Sequence, residues 1–320
     1  MVASRLSFWD HKKILVTGAQ GFVGSFLLEN LINKRGVSRD AIRTPSSTSD
    51  DLRNWENCLK AVNGVDVIIH LAANVGGIGY NITHPGSLFY DNAIMGIQLM
   101  EAARLSKVEK SVIIGTVCAY PKYTNVPFEE NDLWEGYPEE TNAPYGLAKK
   151  MLLVQSQAYR KQYNFNSIYL LPTNLYGPRD NFHPEYSHVI PSIILKIDKA
   201  IKENKGQVHL WGTGQPSREF LYVKDAAEGI LLATEHYNKS EPINLGTGKE
   251  TTIHDLAHLI ATLMNYTGEL IFNPQKPDGQ PRRSLDIRKA KKEFYFKSIT
   301  PLKTGLIESI KWYQKQSFIP

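Results

Sequence analysis

The sequence predicts an α/β fold, a doubly wound parallel sheet followed by a smaller C-terminal α/β lobe. Short apolar runs alternate with longer amphipathic stretches through the first half of the 320 residues, as in parallel strands joined by crossover helices. A glycine-rich segment directly follows the first apolar run. Beyond Pro172, residues 173–191 are rich in Pro, Gly, Asn and His, and the elements become shorter, which indicates a second lobe.

Elements of the first half follow one another as strand and helix. A strand over residues 13–17 precedes an amphipathic helix over 22–34, whose apolar residues form one stripe. A long helix ends near Lys107, and another begins near Pro144, because proline suits a first helical turn. Further strands are predicted at 41–43, 65–70, 111–115 and 167–171. Their apolar runs predict a parallel sheet covered by helices on both faces.

The second half contains shorter elements, which we assign to the second lobe. Helices are predicted at 223–237, 252–266 and 302–314, and strands at 208–211 and 243–245. We therefore predict two domains, residues 1–172 and residues 173–320, allowing for a crossing of the chain between the two lobes.

Composition and charge exclude several classes of protein. Hydrophobic residues make up 42% and charged residues 22%, which is typical of a folded globular chain. The net charge of +5 comes from basic residues spread among acidic ones, so we predict no nucleic-acid partner, and a small polyanion such as a nucleotide fits better. The first 13 residues lack the apolar stretch of a secretory signal, and no run of 18 apolar residues could span a membrane.

Cysteine and histidine usage predicts neither disulfides nor a metal site. Cys58 and Cys118 are the two cysteines, too few for a disulfide framework or a cysteine-based zinc site, and we predict a cytoplasmic location. His254 and His258 have the i, i+4 spacing of helical metal ligands, but Asp255 stands where a zinc protease needs Glu.

Three glycines after the first strand predict a dinucleotide site in a Rossmann-type sheet. Gly18 permits a tight turn, Gly21 lets the backbone approach a pyrophosphate, and Gly24 lets helix and strand pack closely. The start of the helix then faces the anion. The alternative is a glycine-rich strand-to-helix turn with no ligand, but the strand, spacing and helix together favour a nucleotide.

The end of the second predicted strand indicates which nicotinamide cofactor binds. Arg43 stands where an NAD site would place an acidic residue, and no acid follows until Asp50. A guanidinium matches a 2′-phosphate bidentately, so we predict NADP(H) rather than NAD(H), with Arg43 at the phosphate. Asp51 and Leu52 are the candidate adenine contacts, or alternatively only the start of a helix.

A tyrosine and a lysine predict carbonyl reduction. Tyr145 and Lys149 are four residues apart, so both project from one face of a helix. A tyrosine titrates near 10 in water, and we expect the Lys149 ammonium to lower the Tyr145 pKa and make it a general acid or base. Thr116 follows the strand at 111–115, at the sheet edge where ligands bind, and its hydroxyl would hold the substrate oxygen.

These motifs resemble the extended short-chain dehydrogenase/reductase family. The resemblance rests on the glycine segment, on Thr116, Tyr145 and Lys149, and on residues 71–73. More narrowly, the chain is similar to the GDP-L-fucose synthase family. The segments that carry this similarity are 75–77, 118–121, 172–178, 180–183, 187–191, 218–220 and 276–279.

The resemblance implies an NADPH-dependent epimerase-reductase that converts GDP-4-keto-6-deoxy-D-mannose to GDP-L-fucose by C3/C5 epimerisation and then C4 reduction. It implies Cys118 as the base and His188 as the acid, an NADP-binding first domain and a GDP-sugar-binding second domain. It also implies a homodimer formed by the helix that carries Tyr145 and the long helix before Ser111. Leu152, Leu153 and Val154 suit that interface or packing on their own sheet.

The family pattern also implies contact residues for each ligand. Along the cofactor it implies Gly18, Gln20, Gly21, Phe22, Val23, Gly24, Leu71, Ala72, Ala73, Ile114, Gly115, Lys149, Pro172, Thr173, Asn174, Leu175 and His188. At the GDP-sugar it implies Asn174, Lys196, Trp211, Arg218 and Asp278. Three residues depart from the pattern: Thr116 replaces a serine, Lys196 an arginine, and Gln20 a frequent basic residue.

Other hypotheses stay open at this point. One is a C4 reductase of a GDP-4-keto-6-deoxy hexose or heptose without epimerase activity. Others are a UDP-sugar 4-epimerase that recycles bound NAD, and a scaffold protein that has lost turnover. Cys118 could instead be a small buried hydrophobe, and His183 competes with His188 for the role of acid.

Overall fold

The computed structural model describes residues 7–317, so residues 1–6 and 318–320 of the two predicted domains lie outside the described residues. The first part of the chain folds, in order, into β1 (Ile14–Thr17), α1 (Phe22–Asn33), β2 (Ile42–Arg43), α2 (Trp55–Val62), β3 (Val67–His70), α3 (Ile78–Thr83), α4 (Pro85–Leu105), β4 (Lys110–Ile114), α5 (Ala143–Tyr163) and β5 (Ser167–Pro172). The rest folds into β6 (Asn174–Tyr176), α6 (Val189–Lys202), β7 (Gln207–Trp211), β8 (Ser217–Tyr222), α7 (Val223–His236), β9 (Ile243–Leu245), β10 (Glu250–Thr252), α8 (Ile253–Leu263), β11 (Glu269–Asn273), α9 (Arg288–Phe294) and α10 (Leu302–Ser317).

A parallel six-stranded sheet in the order β2-β1-β3-β4-β5-β9 organises the molecule. Successive side chains of β1 point to opposite faces: Ile14 packs with α1 and α7, whereas Leu15 packs with α2, α4 and α5. Both faces are therefore covered, which explains why the strands are apolar throughout. The predicted Rossmann-type α/β fold is confirmed.

One strand and one helix do not belong where the sequence analysis assigns them. Residues 243–245 form β9, which pairs in parallel with β5 rather than with the second lobe, and α7 packs against α1. Ile243 and Leu245 are fully buried, and they gain this burial only beside β5, between the two helix layers. The chain thus returns to the first sheet, and a boundary at residue 172 remains a prediction.

Short strands and three helices build the remaining lobe. β10, β8 and β6 form a three-stranded sheet, and β11 pairs in parallel with β7. Apolar residues of α6, α8 and α10 make a separate core with these strands, represented by Ile194, Ile260 and Leu306. The predicted helices at 252–266 and 302–314 and the strand at 208–211 correspond to α8, α10 and β7. Within residues 7–317, no helix combines the length and apolar character needed to cross a membrane.

Candidate active site

A cleft of about 1050 Å³ opens where the carboxyl ends of the parallel strands face the second lobe. Ligands of doubly wound sheets bind at this edge, and the volume is at the upper end of the range of small-molecule sites. Every predicted site residue except Arg43 lines this cleft. The loops after β1, β3, β4 and β5 supply the cofactor side, and residues around β7 and β8 supply the opposite wall.

The turn between β1 and α1 has the shape that a pyrophosphate requires. Gly18 has a φ of +66°, and a Cβ there would lie 2.8 Å from the backbone nitrogen of Ala72. A Cβ on Gly24 would overlap the carbonyl oxygen of Gly18. No side chain caps the start of α1, so its first N–H groups face the cleft with the positive end of the helix dipole. These residues fit a dinucleotide.

Arg43 does not take the position that the sequence analysis gives it. Its Nη1 donates to the carbonyl oxygens of Lys60, Ala61 and Asn63, at 2.7–3.0 Å. The last carbonyls of a helix have no partner within the helix and attract a cation, so the end of α2 holds this guanidinium outside the cleft. That Arg43 meets a 2′-phosphate therefore stays a prediction.

Arg53, on the segment between β2 and α2, is a cleft residue that the sequence analysis missed. It lines the cleft together with Ser46 and Ser47. Its guanidinium lies 2.7 Å from Asp51 and 3.1 Å from Asp91. Arg53 is remote in sequence from the glycine segment. A loop and the turn before α2 bring it to the cleft, so the motif alone does not reveal it.

Tyr145, Lys149 and Thr116 come together as predicted, on α5 and on the turn after β4. The Tyr169 hydroxyl donates to the Lys149 carbonyl at 2.8 Å and ties α5 to β5. The pKa of Tyr145 is raised, first by burial and then by nearby Cys118, while a hydrogen bond with Thr116 opposes the rise. The expected lowering of the Tyr145 pKa by Lys149 is not found, and burial is the largest effect on this group. Burial also lowers the pKa of Lys149 to about 8.

Cys118 lies between two polar side chains. Its Sγ is 3.6 Å from Oδ1 of Asn142 and 3.6 Å from Nη1 of Arg283. α5 packs closely against this turn, because a Cβ on Gly146 would overlap the carbonyl oxygen of Cys118. The sequence analysis missed Arg283, although it lies five residues beyond Asp278 in the same segment.

The two candidate acids occupy different positions. His188 lines the cleft at the start of α6, and its pKa is lowered by burial and by the charge of Arg283. His183 is not among the cleft residues. Its ring stacks on Tyr186 at 4.4 Å, and its Nδ1 accepts the Glu185 N–H at 3.2 Å. This placement supports His188 as the acid.

The opposite wall carries the residues expected at a nucleotide sugar. Arg218 donates to the carbonyl oxygens of Ser217 and Asp278, and burial is the main cause that lowers its pKa to about 9. Asp278 accepts from the backbone nitrogen and hydroxyl of Thr213 at 2.7 and 2.9 Å. Trp211 is 47% exposed, and the Lys276 ammonium lies 5.3 Å from the centroid of its ring.

Asp180 is another cleft residue that the sequence analysis did not assign to a ligand. One of its carboxylate oxygens has no hydrogen-bond partner in the described part of the chain, and burial raises its pKa to about 7.

Among residues 7–317, no group of three His, Cys, Asp or Glu side chains is arranged to hold a metal ion.

Comparison with known proteins identifies relatives along almost the whole chain. The model of the NAD dependent epimerase/dehydratase family matches residues 14–246. The chain is 38% identical over 302 residues to probable GDP-L-fucose synthase 1 of Oryza sativa subsp. japonica, covering 94% of this chain and 92% of that protein.

Two solved structures share the fold over nearly their full length. One is a GDP-6-OMe-4-keto-L-xylo-heptose reductase from C. jejuni, with a TM-score of 0.88, 26% identity and coverage of 95% of this chain and 98% of that chain. The other is a GDP-L-fucose synthetase from Naegleria fowleri bound to NADP, with a TM-score of 0.86, 28% identity and coverage of 98% and 97%.

Proposed function

The chain belongs to the NAD-dependent epimerase/dehydratase family, and from this membership we propose that it is an NADPH-dependent epimerase-reductase. It converts GDP-4-keto-6-deoxy-D-mannose to GDP-L-fucose. The observation that carries the proposal is a single cleft that contains both a reductase set, Thr116, Tyr145 and Lys149, and a candidate acid–base pair, Cys118 and His188. Relatives named GDP-L-fucose synthase, similar over 94% of the chain, support it.

Bound NADPH supplies the hydride that reduces the C4 ketone. Tyr145 holds the proton that the C4 oxygen needs, and burial and Cys118 raise its pKa and so further favour the protonated phenol. The hydroxyl of Thr116 orients the same oxygen. Lys149 places an ammonium on the same face of α5, where it stabilises the phenolate that forms when Tyr145 gives up its proton.

Epimerisation uses the acidity of the carbons beside the ketone. The Cys118 thiolate takes the proton from C3 or C5, and the electron pair moves onto the C4 oxygen, where Tyr145 donates a hydrogen bond. His188 returns a proton to the other face of the carbon, and this inverts the centre.

The two ligands divide the cleft between them. Gly18, Gly21 and the start of α1 would hold the cofactor pyrophosphate. Arg53, Ser46 and Ser47 line the cleft on the segment that follows β2, and we propose them beside Arg43 as contacts of a 2′-phosphate. The GDP group meets Trp211 and Arg218, and a guanidinium suits its diphosphate. Asn174, Lys196 and Asp278 complete the substrate side.

We also propose a homodimer that forms through α4 and α5. Leu152 and Leu153 are fully buried within their own subunit. Met151, Val154 and Ala158, by contrast, are exposed at helical spacing on the outer face of α5. A continuous apolar stripe of this kind is typical of an interface.

The two cysteines are unpaired, which supports the expected cytoplasmic location.

Product analysis in deuterated water tests the function. The enzyme, GDP-4-keto-6-deoxy-D-mannose and NADPH should yield GDP-L-fucose with deuterium at C3 and C5. C118S should give a reduced product without this label, and C58S is the matched control because Cys58 is buried away from the cleft. Absence of label in the wild-type product would contradict the epimerase half.

A reductase without epimerase activity is the second candidate. The high structural similarity to a heptose reductase favours it. The deuterium experiment separates the two candidates, because a pure C4 reductase consumes NADPH but leaves protium at C3 and C5.

A further inference from the structure

The sulfur of Cys118 has one hydrogen-bond donor and one acceptor beside it. The guanidinium of Arg283 lies 3.6 Å away and can only donate, whereas Oδ1 of Asn142, at the same distance, can only accept. A thiolate accepts from a guanidinium, and a thiol donates to an amide oxygen. The surroundings of this sulfur therefore match both of its protonation states.

The Arg283 guanidinium is held in place by hydrogen bonds to two neutral amide oxygens. Arg283 is buried, its Nε donates to Oε1 of Gln280 at 3.0 Å, and its Nη1 donates to Oδ1 of Asn174 at 3.2 Å. Within residues 7–317 it forms no ion pair with a carboxylate, whereas its neighbour Arg282 is paired with Glu250. A buried, fixed cation without a counter-ion is well placed to stabilise an anion beside it.

Glu139 determines which end of the Asn142 amide faces the sulfur. The carboxylate of Glu139 accepts from the Asn142 amide nitrogen, so the amide oxygen is turned towards Cys118. That oxygen also accepts from Nδ2 of Asn81 at 3.2 Å. Glu139 is itself buried and held by the hydroxyl of Thr141 at 2.7 Å. Rotation of the amide would break these hydrogen bonds.

We propose that Arg283 and Asn142 are positioning residues that hold Cys118 in turn as thiolate and as thiol, and so let one base act at two carbons. This inference rests on the proposed function, in which the base must act at C3 and again at C5. When the thiolate takes a proton from carbon, the new S–H bond points to Asn142. Loss of that proton to solvent restores the thiolate, which faces Arg283 again.

Alkylation of the resting enzyme tests the proposal without any turnover. The full-length protein is treated with iodoacetamide at pH 7.5, and the Cys118 peptide is followed by mass spectrometry. We expect R283Q to slow the alkylation on the order of tenfold, the effect of removing an opposite charge beside an ionisable group. R283K should be intermediate, and R282Q, which alters an exposed neighbour, should match the wild type. Burial raises the pKa of Cys58 to about 12, so its peptide serves as an internal control.

The proposed role of Asn142 predicts the opposite change in the rate of Cys118 alkylation. E139Q removes a negative charge and frees the Asn142 amide to turn its nitrogen to the sulfur, so alkylation should become faster. An unchanged rate in R283Q would overturn the role of Arg283, and a slower rate in E139Q would overturn that of Asn142.

Turnover separates a positioning role from simple substrate binding. For R283Q we expect kcat for deuterium incorporation at C3 and C5 to fall on the order of tenfold, in parallel with the alkylation rate. A rise in KM with unchanged kcat would assign Arg283 to substrate binding only and overturn the proposal. If the wild type incorporates no deuterium, the proposed epimerase fails, while the alkylation rates still decide the roles of Arg283 and Asn142.

Discussion

Tyr145 takes part in both proposed reactions, but it must give up its proton in only one of them. During epimerisation its phenol donates a hydrogen bond to the C4 oxygen and remains protonated. During reduction the proton moves fully to that oxygen. Because burial and Cys118 both raise its pKa, the residue favours the protonated form that both reactions require.

Replacing Tyr145 with phenylalanine should therefore separate the two activities. We expect Y145F to lose about a hundredfold or more in NADPH oxidation, the usual contribution of a general acid. It should still incorporate some deuterium at C3 and C5 of the unreduced substrate, because Cys118 and His188 are intact. Y123F, which alters an exposed tyrosine outside the cleft, should behave as wild type. Unimpaired reduction by Y145F would contradict this assignment.

Lys149 gives reduction a specific dependence on pH. Its pKa is lowered to about 8, and a lysine is charged below its pKa, so the ammonium is present at neutral pH and lost as the pH rises through about 8. We expect kcat for NADPH oxidation to fall over that range, and the measurement is a rate profile from pH 6 to 10.

The variant K149R provides the control for this profile. Its guanidinium stays charged above pH 12, so the decline near pH 8 should disappear even if the overall rate is lower. The same decline in K149R would show that another group causes it.

Among the elements, α1 depends on having glycine, with no Cβ, at position 24. A Cβ on Gly24 would overlap the carbonyl oxygen of Gly18, so the helix would have to move away from the turn that faces the pyrophosphate. G24A should weaken NADPH binding at least tenfold and cost about 1–3 kcal/mol of stability, the usual effect of overpacking. Fluorescence titration with NADPH and denaturant unfolding measure both effects.

Gly86 offers a matched control for this substitution. It lies in the first turn of α4, and a Cβ there would meet no atom within 4 Å. G86A should therefore leave NADPH affinity unchanged and leave stability equal or slightly increased. Equal affinities for G24A and G86A would contradict the role of Gly24.

Features within one element or one junction could be predicted from the sequence. Gly18, Gly21 and Gly24 lie in one strand-to-helix turn, and Tyr145 and Lys149 lie on one helix face, so local spacing was sufficient. Features that depend on distant partners could not be predicted this way. Arg43 is held by carbonyls 17–20 residues further along, and Arg283 lies 165 positions from Cys118. Only the fold brings such groups together.

The pKa of Tyr145 illustrates the same limit in electrostatic terms. The spacing from Lys149 is visible in the sequence, and it predicts a lowered value. Burial acts in the opposite direction and is the largest effect in the structure. Burial depends on every element around the cleft, so a motif alone does not determine it.

For the whole molecule, the exposed stripe on α5 predicts a dimer that one charge can disrupt. Val154 is 50% exposed, and V154E would place a carboxylate in the centre of the proposed apolar interface. Light scattering should give the mass of two chains for the wild type and of one chain for V154E. I299E alters an equally apolar exposed residue away from α5 and should remain a dimer. A dimeric V154E would contradict an interface at this stripe.

The return of the chain to β9 also affects how the protein is made. β9 lies at one edge of the six-stranded sheet and is its last strand to be synthesised. Until residue 245 has left the ribosome, β5 has an unpaired edge, and unpaired edges promote aggregation of nascent chains. β6, α6, β7, β8 and α7 all precede β9 along the chain. The NADP-binding sheet is therefore completed only after much of the second lobe has been translated.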